Sequence, residues 1–259
     1  MASNARPQGL PLLYNDLVPL SKNEHASFRL RPLETLEMLR TVHAVPVTVD
    51  EFVIVQRAMP IIFSSGPDPV PLALMALNEG VNTFVDDDGK LPDGLYLPAF
   101  VRRYPFMLAR LQPDSEDMTL CFDPTSGLVV EDDTGLPLFV DGEPTEHVTN
   151  ALNFCQEFEM SAQRTGQFMR DLQEAGLLEE GEVTIQNPQF QQPFVYRGFQ
   201  MVSEQKLRDL RGDQLRKMNQ NNMLPLIYAH LFSMTLMPDI FGRQMAQGKV
   251  PVPAPVGGM

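Results

Sequence analysis

The stretch from Met59 to Leu111 constrains the fold of this chain more than any other. Two apolar runs within it, Ile61–Phe63 and Val70–Leu77, have the composition of short strands that are buried on both faces. Asp88-Gly89 is a typical hairpin turn, and Thr83–Val85 just before it suits a further strand. Short strands with little linker between them predict a meander of antiparallel strands.

The spacing of apolar residues changes to a helical period in two further regions. In the first, Pro98–Leu111, the apolar residues share one helical face, and Pro105 is expected to delay or kink the helix. In the second, from Pro144 onward, apolar residues recur at three- and four-residue steps as far as Gly176, which favours the end of a helix. The members of this stripe are Ala151, Phe154, Phe158, Thr165, Phe168 and Leu172. Further helices are expected after Ser203, a typical capping residue.

These patterns predict an α+β fold, with a mainly antiparallel sheet in the N-terminal half packed against helices of the C-terminal half. We expect a single domain over residues 21–248, because no Gly/Ser-rich linker divides the chain, and residues 141–143 form the least implausible seam. Residues 1–20 are predicted to form an extended arm. Residues 249–259 contain the low-complexity run VPVPAPVGG and are predicted to form a disordered tail.

Charge and apolar content exclude several classes of protein. A formal net charge of −13 argues against binding nucleic acid, which requires clustered Lys and Arg. The N-terminus lacks an apolar core of the secretory type. Polar residues interrupt the longest apolar run, Met223–Met237, so a buried core helix explains it better than a membrane span. Because the only cysteines are Cys121 and Cys155, we expect a soluble cytoplasmic protein with two free thiols.

Arg102, Arg103 and Tyr104 are the first candidate binding residues. In a functional interpretation the two arginines form an anion clamp, because a guanidinium group binds carboxylate or phosphate through two parallel hydrogen bonds. In a structural interpretation one arginine pairs with the acidic turn Asp86–Asp88, while Tyr104 and Phe106 pack in the core. The sequence leaves both interpretations open.

His25 and His43 are the second candidates, although no histidine or cysteine spacing in the chain is typical of a zinc or iron site. The most plausible cluster assembled from distant residues is His43 with Glu51 and His25. Asp86–Asp88 and Asp93 lack the alternating spacing of a calcium loop and are typical of a solvated turn. We therefore predict no metal site.

Signatures of catalysis and of cofactor binding are also missing from the sequence. A nucleophile elbow, a phosphate loop and a Gly-rich dinucleotide fingerprint are all absent, so no cofactor is predicted. Cys121 and Cys155 lie in apolar stretches, where a thiol is normally inert. His230 is expected to be a hydrogen-bonded core histidine. The methionines between residues 201 and 245 suit either core filling or an adaptable binding surface.

Several stretches of the chain together resemble the SapC family, which is named for a protein associated with bacterial surface-layer loci. They are VPLSKNEHASFRL (18–30), HAVPVTVDEF (43–52), MPIIF (59–63), ALMALNEGVNTFVDDDGK (73–90), YLPAFVRRYPFML (96–108), GLPLFVDGEPTE (135–146), TGQFMRDLQEAGLL (165–178) and LPLIYAHLFSM (224–234). None of these stretches is a catalytic signature. The resemblance implies a soluble bacterial protein whose genetic setting includes surface-layer, outer-membrane receptor and flavin-dependent tryptophan halogenase genes.

Three functions agree with these observations. We expect a non-enzymatic accessory protein of a bacterial surface, uptake or peptide-tailoring system, which binds a peptide, a small ligand or a partner protein. The first alternative is an enzyme of the oxidative tailoring type, with or without a metal, whose dispersed site uses Arg102, Arg103, Tyr104 and either His25 or His43. The second alternative is a structural homodimer with the Met-rich C-terminal helices at its interface.

Overall fold

The computed structural model describes residues 9–111, 117–186 and 192–249. The chain forms two compact units, and each unit is built from two separate stretches of sequence. The first unit comprises residues 1–35 and 99–160, and the second comprises residues 36–98 and 161–259. The single domain over 21–248 stays a prediction.

Most strands are short, and one helix is much longer than the others. The strands are β1 (Val18–Pro19), β2 (Arg29–Leu30), β3 (Ala44–Pro46), β4 (Ile61–Ser64), β5 (Pro71–Leu74), β6 (Phe106–Arg110), β7 (Met118–Phe122), β8 (Val129–Val130), β9 (Leu136–Pro137), β10 (Phe139–Val140), β11 (Glu143–Pro144), β12 (Leu178–Ile185) and β13 (Phe194–Val202). The α-helices are α1 (Phe52–Val55), α2 (Ala99–Arg102), α3 (Glu146–Glu174), α4 (Glu204–Arg208), α5 (Gly212–Gln220), α6 (Met223–Ser233) and α7 (Met237–Ala246). Short 3-10 helices occur at Glu37–Leu39, Val49–Glu51, Pro124–Ser126 and Met234–Leu236.

The first unit contains three small antiparallel sheets, with strand orders β1-β7-β6, β8-β2-β9 and β10-β11. Its core combines residues of these strands with Val148 and Cys155, which lie on the part of α3 that belongs to this unit. The sheet residues of the core are Phe106, Leu108, Leu120, Phe122 and Val129. The predicted arm is described from residue 9 onward, and in it the side chains of Leu13 and Tyr14 are buried.

The helix predicted over Pro98–Leu111 is wrong beyond its first turn. Helix α2 ends at Arg102, the Tyr104–Pro105 peptide bond is cis, and strand β6 follows directly. Proline has no N–H to donate, and its ring clashes with the carbonyl group four residues earlier, so the helix cannot continue through Pro105. Phe106 and Leu108 then point into the core at a period of two, as in any strand.

The second unit contains a five-stranded antiparallel sheet of order β12-β13-β4-β5-β3. The strands predicted at Ile61–Phe63 and Val70–Leu77 are confirmed as β4 and β5. The strand predicted at Thr83–Val85 is wrong. The Asn82 Oδ1 atom accepts hydrogen bonds from the backbone N–H groups of Phe84 and Val85, at 2.8 and 3.1 Å, and this local turn replaces a strand ladder.

Helix α6 is hydrogen-bonded to the strands of the second unit through His230 and Ser233. The His230 Nδ1 atom lies 2.8 Å from the carbonyl oxygen of Ile61, and Nε2 accepts a hydrogen bond from the N–H group of Val202 at 3.1 Å. The Ser233 hydroxyl oxygen accepts a hydrogen bond from the N–H group of Ile61 at 2.8 Å.

Antiparallel sheets in the N-terminal half and helices in the C-terminal half confirm the α+β class.

One helical stretch among the described residues, Met223–Ala246, is long and apolar enough to cross a membrane by length and composition. It has 24 residues and a mean hydropathy of 1.3, and 39% of its most apolar window is buried. Core helices of soluble proteins pass the same test, so this finding alone does not indicate a membrane span.

Candidate functional site

A cavity of about 270 Å³ lies within the first unit. The sequence that builds it combines the end of β2, the turn between α2 and β6, and α3. Its lining residues are Leu30, Arg31, Pro32, Leu33, Arg102, Arg103, Tyr104, Pro105, Phe106, Leu128, Ala151 and Phe154. The walls are therefore mainly apolar, and three arginines and one tyrosine supply the long polar side chains.

The turn after α2 places the side chains of Arg102 and Arg103 in different surroundings. The N–H group of Tyr104 donates to the carbonyl oxygen of Val101 at 3.1 Å, and the N–H group of Phe106 donates to that of Arg103 at 2.8 Å. The carbonyl oxygen of Pro105 accepts a hydrogen bond from the N–H group of Asp123 at 3.0 Å. These bonds fix the backbone, so that Arg102 is exposed while Arg103 is buried.

Arg102 and Arg31 are the two cavity arginines that solvent reaches. The guanidinium group of Arg102 lies over the ring of Phe154, 5.0 Å from its centre. Arg31 forms an ion pair with Asp132, and its Nε atom donates to the hydroxyl oxygen of Thr134 at 2.8 Å. The Arg31–Asp132 pair is partly exposed, and such pairs contribute little to stability.

Arg103 has a different environment, since only 6% of its surface is exposed. Its guanidinium carbon lies 4.1 Å from the ring centre of Phe158, 4.8 Å from that of Phe100 and 5.8 Å from that of Tyr14. Its Nη1 atom pairs with the Glu159 carboxylate at 3.4 Å. The Nε atom of Arg103 is buried and has no hydrogen-bond partner in the described part of the chain.

Burial raises the pKa of the Glu159 carboxyl group above its ordinary value, and the nearby Arg103 offsets part of that rise. Burial also raises the pKa of the Tyr104 hydroxyl to about 12, and the negative charge of Asp123 adds to this. Tyr104 is therefore a neutral phenol at physiological pH, and its hydroxyl group is able to donate a hydrogen bond.

Tyr14 is a residue of this site region that the sequence analysis missed. Its side chain is fully buried, and its hydroxyl group donates to the carbonyl oxygen of Phe106 at 2.7 Å. Its ring meets the ring of Tyr104 edge-on at 5.3 Å. Burial raises the pKa of the Tyr14 hydroxyl far above its ordinary value. The only signal in the sequence was an apolar Leu-Leu-Tyr run within a segment rich in proline.

A family model described as SapC matches residues 20–240 of the chain. The chain belongs to the SapC family. The resemblance noted in the sequence is thereby confirmed over most of its length. No curated protein and no solved structure matches the chain.

The two histidines predicted for the site of this SapC-family protein lie in different units. His25 belongs to the first unit, is buried against Phe28 and Phe122, and does not line the cavity. Its Nδ1 atom accepts a hydrogen bond from the N–H group of Ser21 at 3.1 Å. His43 belongs to the second unit and is partly buried, and burial lowers its pKa. The structure thus brings together Arg102, Arg103 and Tyr104 of the predicted site.

The acidic turn of the SapC-family chain makes contacts within the second unit. The Asp86 carboxylate accepts hydrogen bonds from the N–H groups of Asp88 and Lys90, and Asp87 pairs with Arg40 at 3.3 Å. In the structural interpretation one of the two arginines pairs with this turn. Arg103 pairs instead with Glu159. Among the described residues there is no group of three or more His, Cys, Asp or Glu side chains that could hold a metal ion.

Proposed function

We propose that this SapC-family protein is a non-enzymatic accessory protein that binds a small ligand with an anionic group and an apolar body. A free carboxylic acid, or the C-terminal end of a peptide, has this chemistry. The proposal includes a cytoplasmic location in a bacterium and a role in a surface, uptake or peptide-tailoring system.

One observation carries the proposal: two solvent-accessible guanidinium groups, those of Arg31 and Arg102, line a cavity whose walls are otherwise mainly apolar. Ligand sites in proteins commonly combine apolar walls with a few polar groups that set the orientation of the ligand. Here two of the polar groups are cations that solvent reaches, Arg31 and Arg102, so they favour an anion. Phe154 supplies a wall beneath Arg102, whose guanidinium carbon lies 5.0 Å from the ring centre.

The size of the cavity limits the ligand. About 270 Å³ lies near the lower end of the range for ligand cavities, roughly 300–1,000 Å³. That volume suits a compound of the size of one or two amino acids. The neutral Tyr104 hydroxyl group supplies a donor for a second ligand oxygen.

The proposal is tested by mass spectrometry of the purified protein under native conditions, followed by calorimetric titration with a panel of carboxylic acids. The panel contains acetate, hexanoate, phenylacetate, indole-3-acetate and N-acetylphenylalanine, with phenylacetamide as the uncharged probe. We expect the aromatic acids to bind and phenylacetamide to bind at least about tenfold more weakly, because a hydrogen bond to a charged group contributes about 1.5–3 kcal/mol.

The variants Arg102→Gln and Arg31→Gln are each expected to weaken binding of the best acid by about tenfold or more. Arg110→Gln is the matched control, because Arg110 is an exposed arginine of the same unit that does not line the cavity. The proposal is rejected if no acid of the panel binds, or if the control variant weakens binding as much as Arg102→Gln does.

A further inference from the structure

Helix α6 of the second unit is apolar on the side that faces solvent as well as on the side that faces the core. Ile227, Ala229 and His230 are buried. On the opposite side Phe232 is 62% exposed and Tyr228 is 44% exposed, and their rings stack at 5.8 Å. A helix that is apolar all round is normally covered on both sides. We therefore expect a partner to cover the outer side of α6.

The helices that contact α6 also expose apolar side chains. Helix α6 contacts both α1 and α5. Each of these helices also exposes large apolar side chains, namely Val53 and Ile54 on α1 and Leu215 on α5. The term "apolar face" is used below for these three residues together with Tyr228 and Phe232.

Positive charges accompany the apolar face. Arg57 follows α1, Arg216 and Lys217 lie on α5, and all three are exposed. None of the three forms an ion pair with any residue that the structure describes. Of the other cations of the second unit, Arg40, Arg164, Arg197, Arg208 and Arg211 are ion-paired, and Lys90, Arg170, Lys206, Arg243 and Lys249 form no ion pair with the described residues. In a chain of net charge −13, unpaired cations beside apolar side chains indicate an anionic partner.

We propose that the apolar face docks on the surface of an anionic lipid bilayer, with Tyr228 and Phe232 inserted at the headgroup level and with Arg57, Arg216 and Lys217 against the phosphates. Exposed aromatic side chains with flanking Lys and Arg are the usual composition of a peripheral membrane-binding surface. Physiological salt weakens the repulsion by the acidic remainder of the molecule, because interactions between exposed charges more than about 8 Å apart are largely screened.

One other arrangement, a membrane span, fits the observations less well. A membrane-spanning position for Met223–Ala246 would break the hydrogen bonds made by the buried side of this helical stretch. They join the stretch to the sheet and to the loop that follows β5. Those bonds join His230 to Ile61 and Val202, and Gln244 to Leu77 and Asn78. Peripheral docking keeps all of them.

The test is sedimentation of the full-length protein with sucrose-loaded vesicles of phosphatidylcholine, with and without phosphatidylglycerol. We expect binding only to vesicles that contain phosphatidylglycerol, with an affinity that falls as salt rises. The double variant Tyr228→Ser, Phe232→Ser is expected to lose about tenfold or more in affinity. Replacing Arg57, Arg216 and Lys217 by Gln is expected to cost about fivefold for each cation removed.

The matched control is Leu136→Ser with Val140→Ser, two exposed apolar residues of the first unit, and it should bind vesicles like the unchanged protein. Circular dichroism verifies that each variant is folded, and the Gln variant keeps the test valid if the Ser variant unfolds. The proposal is overturned if the protein ignores anionic vesicles, or if the control loses as much affinity as the Ser variant. It is also overturned if the protein is a dimer that the Ser variant dissociates, since the apolar face would then bind a second copy.

Discussion

Arg102 and Arg103 are adjacent in sequence but have different chemistry in the fold. Arg103 is enclosed by three aromatic rings and pairs with Glu159, which suits a structural cation. Arg102 lies over one ring at the cavity and is exposed. A cation that is desolvated and already paired offers less to a ligand than one that solvent reaches. At the residue scale, therefore, the proposed anion site would use Arg102 and Arg31, while Arg103 packs among aromatic rings.

His230 is the residue whose titration should be visible in the stability of the protein. Burial lowers its pKa to about 4, against an ordinary value of 6.5 in the unfolded chain. Between these two values the unfolded chain binds more protons, so the free energy of unfolding falls as pH falls. We expect protonation of His230 to lower the free energy of unfolding by about 2 kcal/mol between pH 7 and pH 5. Over the whole range between its two pKa values and below, the loss is about 3 kcal/mol.

Urea unfolding at the two pH values, in the unchanged protein and in His230→Gln, measures this contribution. The variant should be less stable at pH 7 and should lose clearly less stability on acidification. Other groups titrate in both proteins, including His43, whose pKa is lowered as well, so the difference between them isolates His230. His147→Gln, which changes an exposed histidine, is the matched control for the loss of an imidazole group. Equal pH dependence in all three proteins would contradict the assignment.

At the scale of elements, the pairing of β12 with β13 depends on one position without a side chain. Gly181 lies directly opposite Phe199, and the register shifts between Gly181 and Glu182. A Cβ atom added at Gly181 would lie 2.2 Å from the Phe199 ring. That ring is fully buried and stacks with Tyr196 at 5.3 Å, so it has little room to move.

Gly181→Ala is expected to lower the free energy of unfolding by about 2 kcal/mol, because overpacking a buried site typically costs about 1–3 kcal/mol. Thr184→Ala, an exposed position on the same strand, should change it by about 0.5 kcal/mol or less. Chemical denaturation measures both values. Phe199→Leu should destabilise the Gly181→Ala variant less than it destabilises the unchanged protein, and strict additivity of the two changes would rule out a clash between these residues.

At the scale of the whole molecule, both cysteines belong to the first unit, and both are buried. Burial raises the pKa of the Cys155 thiol to about 11 and also raises that of Cys121. A thiol reacts as the thiolate, so burial suppresses reaction both by blocking access and by keeping the proton on sulfur. Their modification rate therefore reports how often the first unit opens.

We expect reaction with Ellman's reagent to be slow in the native protein and to reach two equivalents after unfolding in urea. Met160→Cys supplies the matched control, because Met160 is half exposed and lies on the same helix as Cys155. That variant should release one equivalent at once and the remainder slowly. Immediate reaction of both native thiols would show that the first unit does not protect them.

Prediction from sequence succeeded where the signal is local. The stop of α3 before Gly176, which has a φ of 68°, follows from a pattern within a few residues. Prediction from sequence failed where one stretch fitted both a helix and a strand. Pro98–Leu111 carries a helical spacing of apolar residues, but the same residues also fit a strand, and pairing of β6 with β7 decided between them.

By itself the sequence determined the α+β class, the buried strands β4 and β5, the long helix α3 and membership of the SapC family. The class and the elements follow from composition and period, which act over short distances along the chain, while the family follows from the resemblance of whole stretches. Only the tertiary structure decided that Tyr14 and Phe158 enclose Arg103, and that Arg31 shares a cavity with Arg102. Those contacts join residues that are far apart in sequence, and they form only because burial of apolar surface folds distant segments together, which no local pattern records.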